Sequence, residues 1–370
     1  MKKLSVTILA ALTLFACKQE KTFTITGTVA QTELEGKEIK LRQNIDGTWT
    51  VTDSVIIVDG QYTFTGAVER PTQTALWAID PETNRPVLSV SLILENARIK
   101  VTSDEEGVSK VTGTRNNDLF QALAEAQRPI QQKINELMTE ARAAHQAGNT
   151  ELVNSFGEKI TEYNNEILKI RVEFVKNNIN SFAGQSQLGS IANSLPLEDV
   201  KEILALANNT ALRVPEVKRV VERVEALERT AVGQPFVDLR MPDPNGNMIA
   251  LSDFVGKGYV MIDFTATWCG PCRVGKPAMI ATYNKYKDRG FNIVGVWFDS
   301  SHEAWISGMK ALNLPDWPQM SDLKGWQSEG QLQYVTSGIP HSVLIDPNGI
   351  IIARGLRGQD LDDKLAELLK

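Results

Sequence analysis

Val260-Met261-Ile262-Asp263-Phe264-Thr265-Ala266-Thr267-Trp268-Cys269-Gly270-Pro271-Cys272-Arg273 decides how the C-terminal third of this chain folds. Val260 to Thr265 reads as an apolar strand of the buried kind. The Cys-x-x-Cys at its C-terminal end then opens a helix. That placement sets the first sulfur beside unsatisfied backbone N–H groups and the positive end of the helix dipole. Both favour the thiolate, the form that attacks a disulfide. Cys269 is therefore expected to be the exposed attacking sulfur, and Cys272, one turn along and more buried, the resolving one. Pro271 fits the first turn, where its missing N–H costs little, and Arg273 and Lys276 add positive charge nearby. A structural zinc site would need about four ligands, usually in two pairs. Only His145, His302 and His341 remain to complete one, with no second Cys-x-x-Cys and no His-x3-His spacing, so neither a metal nor another cofactor is expected.

Downstream, a helix runs to about Arg289 and a strand covers Asn292–Phe298. Helical Glu303–Leu312, strands Ser342–Asp346 and Ile350–Arg354, and helix Asp360–Leu369 follow. Strands alternating with helices imply a sheet with parallel strands, covered on both faces. Gly233-Gln234-Pro235 marks its upstream boundary.

Further upstream the period changes twice. From Phe23 to about Gly113 alternating β-branched runs and the Asp59-Gly60 turn signal predict a small antiparallel sandwich or barrel. From Asn116 to about Thr230 the pattern is helical. Leu119, Leu123, Ala126, Ile130, Ile134, Leu137 and Met138 form one stripe, and Leu152, Phe156, Ile160, Tyr163, Ile167, Ile170 and Phe174 another. Gly148-Asn149 separates the two as a helical hairpin. Shorter helices fit Glu198–Ala207 and Glu216–Glu228. The expected organisation is multidomain: a leader at 1–17, an N-terminal β-domain at 18–113, a central α-helical segment at 114–231 and a C-terminal α/β domain at 232–370.

Lys2 and Lys3, the short apolar run Leu4–Phe15 and Ala16-Cys17 read as an export signal too short to span a bilayer. Leu14-Phe15-Ala16-Cys17 resembles a bacterial lipobox, which implies lipidation of Cys17 and a periplasmic lipoprotein anchored to the membrane. Of three cysteines, that leaves Cys269 and Cys272 as one pair, closing a loop too small to constrain an unfolded chain and so kept for chemistry. The net charge of −6, with no long basic run, gives nucleic-acid binding no electrostatic support.

From Gly233 to Lys370 the chain resembles the thioredoxin superfamily, in its TlpA/ResA-like extracytoplasmic branch. Asp263 to Arg273 matches the family's active-site strand and motif, Trp268 included. Ser337-Gly338-Ile339-Pro340 followed by Val343-Leu344-Ile345-Asp346 matches its cis-proline loop. The resemblance implies that Pro340 is cis and packs against the disulfide, and that Ile339 backbone groups pair with a substrate peptide. It also implies that Asp263 is buried and helps deprotonate Cys272, although many members of this branch carry Asn there. The branch usually has Glu where Gly275 stands, which argues against a carboxylate-assisted, substrate-selective role. His341, next to Pro340, either tunes the sulfurs or faces solvent. The Phe23–Val29 opening, Val58–Gly66 and Leu92–Asn96 resemble an uncharacterised β-domain that precedes thioredoxin-like modules in bacterial lipoproteins.

The implied activity is thiol–disulfide exchange with protein disulfides outside the cytoplasm. The Gly270-Pro271 dipeptide and Asp263 lean toward reduction, which requires a membrane electron donor. Two rivals stand beside it. A thiol peroxidase would have Thr where Ala266 is, and an adaptor lipoprotein would use the N-terminal regions to bind a partner.

Overall fold

The computed structural model describes residues 21–45, 48–80, 85–336 and 338–370; Cys17 and Ser337 lie outside the described residues. The expected multidomain order is found: a β-rich N-terminal part, central helices and a C-terminal α/β fold. Contacts divide the chain into two compact units. One runs to Ile191 and takes in Leu206–Val214; the other comprises Ala192–Ala205 and Pro215–Lys370.

Among the described residues of the first unit, eight strands form two four-stranded sheets. They are β1 (Phe23–Val29), β2 (Glu38–Ile45), β3 (Thr48–Ile56), β4 (Gln61–Gly66), β5 (Thr72–Ile79), β6 (Pro86–Leu94), β7 (Arg98–Ser103) and β8 (Ser109–Thr112). The orders are β4-β1-β7-β8 and β3-β2-β5-β6. Pairing is antiparallel except for β1 with β7, which run parallel. Period-two alternation sends Ile25, Ile39, Leu41, Phe64, Leu76 and Val101 into one apolar core. Each such buried side chain contributes about 1.5–3 kcal/mol. Three helices follow: α1 (Arg115–Gln146), α2 (Thr150–Asn178) and α3 (Phe182–Ile191). Thr114 caps α1 by accepting the Asn117 N–H, and Asn149 caps α2 by accepting that of Leu152. Buried Asn117 exchanges two 2.8 Å hydrogen bonds with the Ile93 backbone, tying α1 to β6.

The second unit begins with α4 (Leu197–Ala205) and α5 (Pro215–Arg229), whose Val217, Val220 and Val224 recur on one buried face. A short hairpin, β9 (Arg240–Pro242) and β10 (Met248–Ala250), precedes the main sheet. That sheet is built from β11 (Tyr259–Thr265), β12 (Phe291–Trp297), β13 (Gln319–Met320), β14 (His341–Ile345) and β15 (Ile351–Arg354), in the order β13-β12-β11-β14-β15. β11, β12 and β13 are mutually parallel, β14 runs antiparallel to β11 and β15 antiparallel to β14, so the sheet is mixed. Helices α6 (Gly270–Tyr286), α7 (His302–Ala311), α8 (Glu329–Tyr334) and α9 (Gly358–Leu368) complete it.

Strand β11 is buried on both faces. Val260, Ile262 and Phe264 join one apolar cluster with Leu239, Val296 and Tyr334; Met261 joins another with Tyr286 of α6 and Leu361 and Leu365 of α9. Asp263, two residues after Met261, thereby faces the α6 side.

Candidate active site

The site forms where β11 ends and α6 begins. Cys269 is the N-cap of α6, its sulfur accepting the Cys272 N–H at 3.2 Å. The two sulfurs are joined in a disulfide, with Cα atoms 5.3 Å apart. Pro271 falls in the first turn of α6, where no N–H partner is lost.

The expected exposure of Cys269 is not found in this disulfide-bonded state. Cys269 is 4% exposed and Cys272 3%, both within the apolar cluster against which Ile339 packs. The accessible surface here belongs instead to Trp268, 53% exposed, whose ring lies 5.8 Å from that of Trp326.

Asp299 fixes the loop between strand and sulfur. Its carboxylate accepts the Thr267 N–H at 3.1 Å and the Thr267 hydroxyl. The pairing follows from register: Thr265 of β11 lies opposite Trp297 of β12, so the chains leave the sheet side by side. Sequence reasoning missed Asp299. The only signal was an acid two residues past a buried strand, parallel to the one that carries the cysteines.

Asp263 is buried, as the resemblance implied, but not alone. The Lys276 ammonium donates to its Oδ2 and lies 5.5 Å from the Trp297 ring centre. Lys276, expected to add positive charge near the sulfurs, is buried and paired with that carboxylate. It lies four residues after Cys272, so both project from one side of α6.

The Ile339–Pro340 peptide is cis, and β14 starts at the next residue, with His341 opposite Phe264. Among the described residues the Ile339 N–H and C=O make no hydrogen bond. His341 is half-buried rather than a solvent-facing loop residue. Its ring lies 6.3 Å from that of Phe264, and its buried Nε2 has no hydrogen-bond partner among the described residues. Burial, then the positive charges of Arg354 and Arg357, push its pKa down to about 4. At neutral pH the imidazole carries no charge. Gly275 presents no side chain, and a Cβ built there would meet nothing within 4 Å.

Residues 232–354 match the AhpC/TSA family, and residues 23–120 match a domain of unknown function, DUF4369. The thiol-disulfide oxidoreductase ResA of Bacillus thuringiensis is 33% identical over 143 residues, 39% of this chain and 79% of that protein. ResA of Bacillus subtilis is 32% identical over 125 residues, 34% of this chain and 67% of that protein. A solved thioredoxin domain of a thiol-disulfide oxidoreductase from Bacteroides vulgatus is 35% identical, covering 38% of this chain and 99% of its own, with a TM-score of 0.36.

Proposed function

The chain belongs to the TlpA/ResA-like branch of the thioredoxin superfamily, and from that premise we propose that it reduces protein disulfides outside the cytoplasm through Cys269 and Cys272. It is a thiol–disulfide oxidoreductase; the direction, compartment and residue roles are this reading's own. The observation that carries it is the disulfide-bonded pair at the N-terminus of α6, with Cys269 as the cap.

In the reduced protein, the first-turn N–H groups and the helix dipole hold Cys269 as a thiolate. It attacks one sulfur of the substrate disulfide, forming a mixed disulfide and releasing the other sulfur as a thiolate. Cys272 then loses its proton toward the buried Asp263–Lys276 pair and attacks Cys269. The substrate leaves with both thiols, and the Cys269–Cys272 disulfide forms. Two electrons have passed to the substrate, and a dithiol donor at the membrane restores the pair. The Ile339 backbone groups beside Pro340, without partners among the described residues, offer hydrogen bonds to an extended substrate segment. The export-like leader and Cys17 support an anchored place in the cell envelope.

Trapping tests this reading. Cys272→Ser should accumulate covalent adducts on Cys269 that reductant releases. A variant that captures no protein from envelope extracts would count against it. The AhpC/TSA match favours one second reading, a thiol peroxidase; Ala266 stands where that chemistry would have Thr. Peroxide consumption by the purified protein decides between them.

A further inference from the structure

A groove of about 720 Å³ lies in the C-terminal unit between α5 and the segment from Trp326 to Thr336. Arg219, Arg223 and Arg229 line one wall; Trp326, Leu332 and Val335 line the other. Leu332 and Trp326, 64% and 48% exposed, leave this wall open and apolar.

The three guanidiniums differ in what holds them. Arg229 donates to Gln333 Oε1 at 2.8 Å, and Arg219 to the Pro215 carbonyl at 3.3 Å. Arg223 is half-buried yet makes no hydrogen bond or ion pair with any described residue. A partly desolvated cation without a partner is unfavourable until an anion reaches it. Of the two groove acids, Glu222 is engaged by Lys218 at 3.5 Å and Glu225 is exposed. Neither neutralises Arg223.

Two further features mark the groove, one of them a link toward the sulfurs. Trp326, at its end, lies against Trp268, the residue before Cys269. Val335 holds φ +46, a left-handed conformation that β-branched residues avoid. Gln331 fixes that turn by donating to the Thr336 carbonyl at 3.0 Å and accepting from its hydroxyl. Strain maintained in this way marks ligand clamps more than passive surface.

We propose that this groove receives the extended segment flanking the reacting cysteine of a substrate protein, and that Arg223 pairs with a carboxylate on that segment. The substrates are then disulfide proteins with Asp or Glu near the attacked cysteine. This rests on the exchange reaction proposed above. Helix α5 lies outside the residues matched to the AhpC/TSA family, so this wall is not supplied by the part of the chain that carries the redox pair.

The test uses the reduced full chain in single-turnover exchange. Its substrates are synthetic peptide disulfides carrying Glu, Gln or Lys, walked along one side of the cysteine, with neutral hydroxyethyl disulfide alongside. The best Glu peptide should react about tenfold faster than its Gln counterpart at limiting concentration, through tighter binding rather than a higher maximal rate. Raising the salt should shrink that advantage. Arg223→Lys should keep part of it, and Arg223→Glu should invert the order in favour of the Lys peptide. A wild-type protein indifferent to the three peptides, or an Arg223→Glu variant that keeps the wild-type order, would overturn the groove assignment. In either case turnover of hydroxyethyl disulfide would leave the exchange reading standing. A wild-type protein that reacts with none of these disulfides would overturn both.

Discussion

Lys276 and Asp263 form an ion pair whose side chains are only 3% and 2% exposed, on the side of α6 from which Cys272 projects. Two charges this deep are tolerable only together: removing either leaves the other uncompensated in a low-dielectric interior, whereas removing both does not. In the exchange proposed above, the pair is the charge arrangement that would serve the resolving step.

Asp263→Asn and Lys276→Met should each destabilise the protein by about 3–5 kcal/mol, while Asp263→Leu combined with Lys276→Met should lose less than either. Urea unfolding measures this. If the pair serves proton removal from Cys272, the folded double variant should prolong the mixed disulfide by about 100-fold. A wild-type lifetime in that variant would sink the proton-handling role.

Asp299→Ala removes both acceptors that hold Thr267, leaving a half-buried backbone N–H and a hydroxyl without that partner. The loss should be about 1–2 kcal/mol. Exchange should slow with it, because Thr267 positions the residues leading to Cys269. Equal exchange rates in the variant and the parent at a temperature where both are folded would show that Asp299 is only structural.

How legible all this was from sequence depends on the range of the interactions. Cys269, Cys272 and the start of α6 follow from fourteen consecutive residues, and the helical hairpin from periodicity on either side of Gly148. What escaped was non-local or lacked a pattern. Nothing near Lys276 in sequence announces that it is buried against β11, since a lysine in a helix ordinarily reads as solvated. The parallel β1–β7 pairing joins strands about seventy residues apart. Helix α3 carries Gly, Ser and Gln and is buried on most sides, so it shows no amphipathic stripe. Helix α8 has six residues and is set by Ser328, which accepts the Gly330 N–H. The groove wall by Arg223 required knowing that α5 belongs to the C-terminal unit.

His341 should make the protein acid-sensitive in a defined window. Its pKa is depressed from 6.5 to about 4, chiefly by burial. Between those values the unfolded chain binds a proton that the folded chain does not, so stability rises with pH across the window and is lost as pH falls through it. Allowing for the ring's partial exposure, the loss from pH 6.5 to pH 4 should be about 2–3 kcal/mol. Above about pH 7.5, where the unfolded imidazole is also neutral, this group should add no slope. His341→Gln should flatten the stability profile over that range, as read by urea unfolding at several pH values. A parallel profile for variant and parent would contradict the assignment.

Two glycines near the site should respond to the same substitution in opposite ways. At Gly275, inside α6, an added methyl meets open space, so Gly275→Ala should gain the helix-propensity difference of about 0.5–1 kcal/mol and raise Tm. At Gly308 of α7, a Cβ would stand 2.2 Å from Thr267 Cγ2 and 2.7 Å from its Cβ. Thr267 cannot rotate away cheaply, because Asp299 holds both its hydroxyl and its N–H. Gly308→Ala should therefore cost about 1–3 kcal/mol by overpacking and, by displacing Thr267, slow exchange at Cys269. Thermal unfolding and exchange with hydroxyethyl disulfide separate the two effects. If Gly308→Ala lowered Tm yet left exchange at the parental rate, α7 would support the fold without setting the geometry of the redox loop.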